Sequence, residues 1–349
     1  MKKSFIILAL AAVAMMLPGK SIAQERARAQ AVGIAFYNWE NLFDTIPNNP
    51  EGRDVEFTPN GQRQWDGRKY WEKVHNLAYA ISHFTTKFTP AGPAIIGVSE
   101  IENRSVMEDV VNQPELKKWN LQIVHHDSPD ARGVDVGLLY NPRLFKVENV
   151  TNHRLTAVPF RTRDQMCVVG SLWGQRVAVI VNHWPSRLGG QTASEPNRVA
   201  AAELSKSIAD SLWRVDPDMG VIIMGDLNDD PMDKSCAKIL GAKRSAKGVG
   251  PHEFFNPFWN VLESGVGTLC YKGSWNLFDQ IIISGNLVEP QKTSGWRFME
   301  AKVLNFPFLY ATEGNLQGAP KRTYSAGSYL GGYSDHFPTE IILRRQVTK

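Results

Sequence analysis

Apolar runs that stop abruptly at acidic, amide or imidazole residues set the pattern of this chain. Val221–Met224 places four apolar residues in a row and delivers Gly225, Asp226, Leu227, Asn228 and Asp229 to its far end. Such a run suits a strand covered on both faces, and functional groups in α/β proteins gather just beyond the ends of such strands. The same pattern recurs along the chain. Val32–Tyr37 predicts a strand ending in Asn38-Trp39-Glu40-Asn41, and Ala94–Ser99 predicts one ending in Glu100, with Glu102 and Asn103 beyond. Leu121–His125 and Val134–Tyr140 read as a strand pair separated by Asp127–Gly133, and Leu144–Val150 continues in alternation. Cys167–Trp173 and Arg176–Asn182 flank Gly174-Gln175, the spacing and glycine-first chemistry of a two-residue hairpin turn. The second hairpin strand runs into Asn182-His183-Trp184-Pro185-Ser186-Arg187. Asp279–Ser284 carries its acidic residue at the start, and Ser334-Asp335-His336 precedes a last strand over Thr339–Leu343.

Two helices interrupt these strands. Over Tyr70–Phe84, Trp71, Val74, Leu77, Ala78 and Ile81 fall on one helical face, and a glycine-containing loop, Gly189–Pro196, leads to a helix with Ala201, Leu204, Ile208 and Leu212 on one face. His75 lies on the first helix and reads as a partly buried structural histidine. Prolines at 47, 50 and 59 mark a loop around Asn48–Asn60. No internal repeat, heptad run or linker is present, so the pattern describes one domain with a mixed sheet system.

Polar groups thus stand at the edges of six apolar strands: Asn38/Glu40, Glu100, Asn182/His183, Asp226/Asn228, Asp279 and Asp335/His336. Any one alone is no more than a turn, because Asp, Asn and Gly are ordinary turn residues. Their recurrence is the signal. Oxygen ligands without cysteine suit a hard cation such as Mg²⁺ or Mn²⁺, and histidines among carboxylates supply groups that move a proton or hold a developing anion. His125 and His126 beside Asp127 match no ligand spacing and read as loop residues. Trp184, Trp275 and Tyr333 adjoin the polar clusters, as groove walls or as core rings.

These clusters, in this order, resemble the endonuclease/exonuclease/phosphatase superfamily, which includes deoxyribonuclease I, exonuclease III-type repair enzymes, sphingomyelinases and inositol polyphosphate phosphatases. The resemblance runs from about Val32 to Leu343. Its most specific elements are GDLN at Gly225–Asn228 and SDHFP at Ser334–Pro338, supported by YNWEN at Tyr37–Asn41 and SEIEN at Ser99–Asn103. NHWPSR, Asn182–Arg187, is similar to the histidine strand of secreted bacterial members. The resemblance implies an α/β (α+β) fold, a two-sheet β-sandwich with helices on both outer faces, like that of deoxyribonuclease I. It implies Glu100 as the principal metal ligand, with Asn38, Glu40 and Asp335 near the ion directly or through water. Asp226 and Asn228 would position and activate the attacking water. His336, held by Asp279, would contact the scissile phosphate, and His183 and Asn182 would bind that phosphate from the other side. Arg187 is a candidate phosphate contact, although for it and Arg198 a surface salt bridge is the ordinary alternative.

Length and composition add an address. The chain has 349 residues, 43% of them hydrophobic, enough for a large core. Lys2 and Lys3 precede an apolar run, Phe5–Leu17, and Ser21-Ile22-Ala23 offers small residues for cleavage, so Met1–Ala23 is expected to be a secretory signal and 24–349 a single catalytic domain. That run is shorter than the ~20 residues a membrane span needs. The expected product is exported to the periplasm or the outside. Losing Lys2, Lys3 and Lys20 takes the formal charge from +4 to +1, so the overall field selects no partner. A local basic stretch, Lys234, Lys238, Lys243, Arg244 and Lys247, offers contact to a polyanion or a solvated surface. Three cysteines, Cys167, Cys236 and Cys270, match no zinc or redox spacing.

The leading expectation is a metal-dependent phosphodiesterase, most simply a nuclease acting on nucleic acid, with no protein partner evident. The alternative is a phosphomonoesterase or lipid phosphodiesterase on the same scaffold. Against an inositol phosphatase, Asp279-Gln280 lacks the Asp-Arg pair those members use. Against a sphingomyelinase, the one apolar stretch available for a bilayer is Phe254–Trp259.

Overall fold

The computed structural model describes residues 28–292 and 294–347, so the expected signal peptide, Met1–Ala23, lies outside the described residues. In chain order the first half runs β1 (Arg28–Leu42), α1 (Gly67–Ser82), β2 (Ile95–Ile101), α2 (Arg104–Val111), α3 (Pro114–Lys117), β3 (Gln122–His125), β4 (Asp135–Tyr140) and β5 (Phe145–His153). Next come β6 (Gln165–Leu172), β7 (Gln175–His183), α4 (Gln191–Val215), β8 (Gly220–Asp226), β9 (Phe254–Phe255), α5 (Phe258–Glu263), β10 (Leu269–Tyr271) and β11 (Ser274–Asn276). The chain ends with β12 (Asp279–Ser284), β13 (Arg297–Val303), the short pair β14 (Tyr324–Ser325) and β15 (Ser328–Tyr329), and β16 (Thr339–Val347).

Two six-stranded mixed sheets result, ordered β13-β16-β1-β2-β4-β3 and β5-β6-β7-β8-β12-β9. Period-two alternation in the second sheet explains the layering. Ile222 and Met224 of β8, with Val177, Val179 and Val181 of β7, join the core shared with the first sheet. Val221 and Ile223, with Ala178 and Ile180, turn the other way onto Ala201, Ala202, Ile208, Ala209 and Trp213 of α4. Runs apolar on both faces were thus a correct sign of strands covered twice. The sheets approach closely where Gly97 of β2 meets β8, since a Cβ there would lie 2.4 Å from Met224 Sδ. Helices α1 and α2 cover the outer face of the first sheet, so the expected sandwich with helices on both sides is the one observed.

Several boundaries differ from the apolar pattern. The hairpin turn is Trp173-Gly174, one residue earlier than expected, because Leu172 pairs with Gln175 and both turn residues have positive φ (46° and 90°). That is the paired left-handed geometry of a type I′ turn, with glycine second. Helix α4 starts at Gln191 and includes Pro196, whereas a proline predicted a later start. On α1, Trp71 is 51% exposed and His75 is exposed beside Glu115, while Lys73 is buried. The inward face is Tyr70, Lys73, Val74, Leu77, Ala78 and Ile81, rotated by one position to bring Lys73 inside.

Glu340 on β16 is fully buried; Lys302 Nζ lies 3.2 Å from Oε2 but off the hydrogen-bond direction, so both oxygens lack a partner. Burial, only partly offset by Lys302, pushes its carboxyl up to about 7. The folded state therefore holds this proton more tightly than the unfolded state. The resulting cost is absent below the ordinary glutamate pKa, grows as pH rises towards 7, and is complete above it. Glu340→Met is expected to stabilise the protein by roughly 1–3 kcal/mol at pH 8 and to change little at pH 4. Denaturant unfolding at both pH values checks this, and a loss of stability at pH 8 refutes it.

Candidate active site

Strand register builds the site. On parallel β7 and β8 His183 pairs with Asp226, and on antiparallel β8 and β12 Asp226 pairs with Asp279, so three neighbouring strands present three functional residues side by side. Gly225 lets β7 come this close, because a Cβ there would sit 2.1 Å from the Asn182 carbonyl oxygen. The first sheet contributes through bulges rather than strand ends. Pairing between β1 and β2 shifts register between Asn38 and Leu42, and β2 shifts against β4 between Ser99 and Ile101. Glu40, Asn41 and Glu100 all take left-handed backbone there, with φ of 47°, 49° and 58°. Bulges re-aim side chains, and strained non-glycine backbone is held in place only by surrounding contacts.

The SDH segment docks onto this edge just before β16. Ser334 Oγ donates to the Asn38 carbonyl (2.7 Å) and accepts from His336 N (3.1 Å), and Phe337 N donates to the Thr268 carbonyl (2.8 Å). His336 Nδ1 then lies 2.7 Å from Asp279 Oδ2, joining residues expected to be partners although 57 positions apart. His336 Nε2 faces Asp226 Oδ2 at 3.8 Å and Asp335 Oδ1 at 3.9 Å. His183 Nε2 lies 3.7 Å from both Glu100 Oε1 and Asp226 Oδ2. Asn38 donates to Asp226 Oδ2 (3.1 Å) and accepts from Glu40 N (2.8 Å). Asn228, also left-handed at φ 51°, donates its backbone N–H to Asp226 Oδ1 (3.0 Å) and its side-chain amide to the Trp184 carbonyl (2.9 Å).

The electrostatics separate the members of this cluster. Burial works against ionisation of Glu100, but the Arg132 guanidinium outweighs it and holds its carboxyl below the usual range. Burial pushes Asp226 up to about 7, with His336 opposing and Asp279 adding to the rise. His336 loses by burial and gains more from Asp279 and Asp226, ending well above an ordinary imidazole. Burial and then Arg163 hold His183 well below. Two histidines and two carboxylates, each pair driven apart, make a set in which one member is charged where the other can give or take a proton.

Three expected site residues have other employment. The Asn182 amide donates to the Ile180 and Met224 carbonyls, and its oxygen accepts from Trp184 Nε1 and Ser205 Oγ; it ties β7 to β8 and has no free group for a phosphate. Arg187 donates to the Asn228 carbonyl (2.9 Å) and Asp233 (2.7 Å), lies 3.4 Å from Asp229 and Asp230, and sits over the Phe278 ring, so its charge is spent on the acidic turn. Glu40 Oε2 accepts from Thr323 N (2.7 Å) and Oγ1 (2.8 Å), with Lys73 Nζ at 3.6 Å. Burial, then Asp335, pushes the Glu40 carboxyl up to about 7. Oε2 anchors the Thr323 loop. Arg198 forms a fully buried pair with Asp229 (2.5 Å), not a surface bridge.

Four cations escaped the sequence reading. Arg132 pairs with Glu100 (3.1 Å), and Arg322 with Asp335 (2.7 Å). Lys73 donates to Thr323 Oγ1 (2.5 Å) and the Tyr333 carbonyl (2.6 Å), while buried Arg163 donates to the His183 and Trp184 carbonyls and pairs with Asp130 (3.0 Å). Charged residues in loops or on a helix carry no strand-end signal, so only three-dimensional convergence reveals them. The basic stretch, by contrast, is largely neutralised: Lys234, Lys243 and Arg244 pair with Glu195, Glu253 and Glu263. Of the three rings, Trp184 is buried, Tyr333 is half-buried against Phe308, and Trp275 is 36% exposed and stacks on Phe337 beside His336. Phe254, Phe255 and Phe258 are buried, so that stretch is no membrane-inserting hairpin. The three cysteines are free.

A hard-cation site fits these donors. Glu100 remains ionised and, with Asp226, sets two carboxylate oxygens beside His183, whereas in the neighbouring convergence of Asp226, Asp279 and His336 the imidazole is already bound to Asp279. Among the described residues no helix is long and apolar enough to cross a membrane.

Known proteins share this architecture. A humanized D. rerio TDP2 carrying 14 mutations is 12% identical with a TM-score of 0.55, covering 90% of this chain and 98% of its own. An endonuclease/exonuclease/phosphatase family protein from Bacteroides thetaiotaomicron is 16% identical with a TM-score of 0.51, covering 92% and 100%. A mannosyl-6-phosphatase from the same organism is 18% identical with a TM-score of 0.51, covering 89% and 99%. At such identities the likeness is one of fold, and no curated protein matches in sequence. A family model, however, matches residues 33–345, nearly all of the described chain: the protein belongs to the Endonuclease/Exonuclease/phosphatase family and is a phosphoric ester hydrolase.

Proposed function

We propose that the protein is an exported, divalent-metal-dependent phosphodiesterase that hydrolyses its substrate by attack of water on phosphorus, with nucleic acid as the leading substrate class. The observation that carries this reading is the meeting of two imidazoles and two carboxylates: His183 Nε2 within 3.7 Å of Glu100 and Asp226, and His336 Nε2 3.8 Å from the same Asp226 oxygen. Glu100 would hold Mg²⁺ or Mn²⁺, with Asn38 and Asp335 close by. When bound, the cation supplies charge for the phosphoryl oxygens. Asp226, fixed by Asn38 and Asn228, takes the proton of the attacking water. His336, charged and oriented by Asp279, holds the developing negative charge or protonates the leaving oxygen. Neutral His183 contacts the phosphate from the second sheet. A fold relative, D. rerio TDP2, has been solved with a single strand DNA product, which supports the nucleic-acid choice.

A phosphomonoesterase is the second reading. Arg132, Arg322 and Lys73 ring the acidic cluster, and three cations suit the extra charge of a monoester. The test is turnover of plasmid, RNA, bis(p-nitrophenyl) phosphate, p-nitrophenyl phosphate and sphingomyelin with Mg²⁺ or with EDTA. Diester cleavage abolished by EDTA is expected. Faster cleavage of the monoester than of any diester transfers the function to the second reading. In the same assay Glu100→Gln, which keeps shape but removes a negative ligand, is expected to raise the Mg²⁺ concentration for half-maximal rate by at least ~10-fold. Unchanged activity at limiting Mg²⁺ removes Glu100 from the metal site.

A further inference from the structure

We propose that Arg132 and Arg322 form a two-armed clamp for the phosphoryl oxygens of the substrate, held on the carboxylates of Glu100 and Asp335 until a divalent cation takes those carboxylates over, an inference that rests on Glu100 being the metal ligand. Arg132 Nη1 donates to Glu100 Oε1 (3.3 Å) and Nη2 lies 3.1 Å from Oε2, so one guanidinium faces both carboxylate oxygens. Its Nη2 also donates to the Asn41 side-chain oxygen. Arg322 Nη2 donates to Asp335 Oδ2 (2.7 Å). Each carboxylate in turn borders an imidazole placed against the phosphate. Glu100 Oε1 lies 3.7 Å from His183 Nε2, and Asp335 Oδ1 lies 3.9 Å from His336 Nε2. A phosphate seated between the two rings therefore lies next to both arginine-bearing carboxylates.

Both arms have free heads on fixed roots. The side chains of Arg132 and Arg322 are 46% and 29% exposed. Arg132 N donates to Asp130 Oδ1 (2.9 Å), Asp130 Oδ2 pairs with buried Arg163 (3.0 Å), and Arg163 holds the His183 and Trp184 carbonyls (3.1 and 2.8 Å). Beside Arg322, Thr323 N and Oγ1 both donate to Glu40 Oε2. An ordinary surface ion pair needs no such anchoring and adds little stability. The planar guanidinium fork matches a phosphoryl group as well as a carboxylate, and a long side chain on a fixed root passes from one to the other without moving its loop. A doubly charged cation on Glu100 would repel Arg132 and compete for the same lone pairs. The negative charge of an arriving phosphate offsets that repulsion. Cation and phosphate should therefore bind cooperatively, each raising the affinity for the other by the same factor.

The test is calorimetric titration of the full mature chain with MgCl2, with and without inorganic phosphate. In the wild type, phosphate is expected to tighten Mg²⁺ binding by at least ~5-fold. Arg132→Gln and Arg322→Gln, taken singly, should bind Mg²⁺ at least ~5-fold more tightly than the wild type when phosphate is absent, and should lose most of the tightening that phosphate brings. An arginine that only orients its carboxylate gives the opposite sign, weaker Mg²⁺ binding on its removal. Arg132→Lys keeps the charge without the fork, so it should retain the wild-type Mg²⁺ affinity and lose the phosphate coupling. Weaker or unchanged Mg²⁺ binding in either glutamine variant, or phosphate coupling equal to that of the wild type, overturns the clamp and leaves the metal site standing. Absence of phosphate coupling in the wild type does the same. A wild type that binds no Mg²⁺ overturns the metal site itself, and the clamp with it. Should a glutamine variant fail to fold, Arg132→Lys decides, and full phosphate coupling in it overturns the clamp.

Discussion

Replacing His336 with alanine is expected to cut turnover by ~10²–10⁴-fold while leaving divalent-cation binding largely intact. Its ring is fixed by the 2.7 Å contact to Asp279, itself fully buried with Oδ1 unpartnered, so the pair is isolated from water. The negative field of Asp279 and Asp226 outweighs burial and keeps His336 charged through neutral pH. Activity that needs the imidazolium is therefore retained below its raised pKa and lost only at pH well above the ordinary histidine range. Asp279→Asn removes the larger part of that field, so the alkaline limb of the rate profile should move down towards neutrality. Residues acting as one unit are non-additive, and the double variant should be little worse than His336→Ala alone. If the two losses multiply, or the limb stays put, Asp279 does not act through His336.

How much of this was legible in the sequence depends on what each element requires. Strands β7, β8 and β12 were readable because a strand covered on both faces must be apolar at every position, and their polar termini then stood out. Since register pairs His183, Asp226 and Asp279 directly, that half of the site followed from the strand ends. The other half rests on backbone irregularity. Glu40, Asn41 and Glu100 sit on bulges inside β1 and β2, and a bulge changes where a side chain points without altering the apolar pattern. Glu40 was accordingly placed with the metal ligands, and it is its Oε2 alone that closes on Thr323 and Lys73. Asn182 and Arg187 are a different case. Their residue types suit phosphate, but contacts from Ser205, Met224 and Asp233, distant in sequence, take up their groups first. Arg132 and Arg322 were invisible because one salt-bridging arginine in a polar loop resembles any other.

Asp226→Asn is expected to have the largest effect of any single change, at least ~10²-fold in kcat, because this residue joins both halves of the site. One oxygen accepts from Asn228 N and the other from Asn38 Nδ2, leaving the second oxygen facing both His183 and His336. An amide here loses the base and sets a donor against Asn38. Burial pushes the Asp226 carboxyl up to about 7, and a divalent cation alongside favours the ionised form and lowers it again. A base must be ionised to accept a proton, so wild-type activity falls as pH drops through this value. The acid limb should move to lower pH as Mg²⁺ is raised, and it should vanish in Asp226→Asn. Because Asp226 and His336 face each other at 3.8 Å, both limbs of the profile belong to the pair rather than to either residue. His336→Ala should therefore shift the acid limb upward, since it removes the positive charge that favours ionised Asp226. A variant Asp226→Asn that keeps a tenth of wild-type kcat, or retains the acid limb, would give the proton-accepting role to another group, and the neutral ring of His183 is then the residue to test.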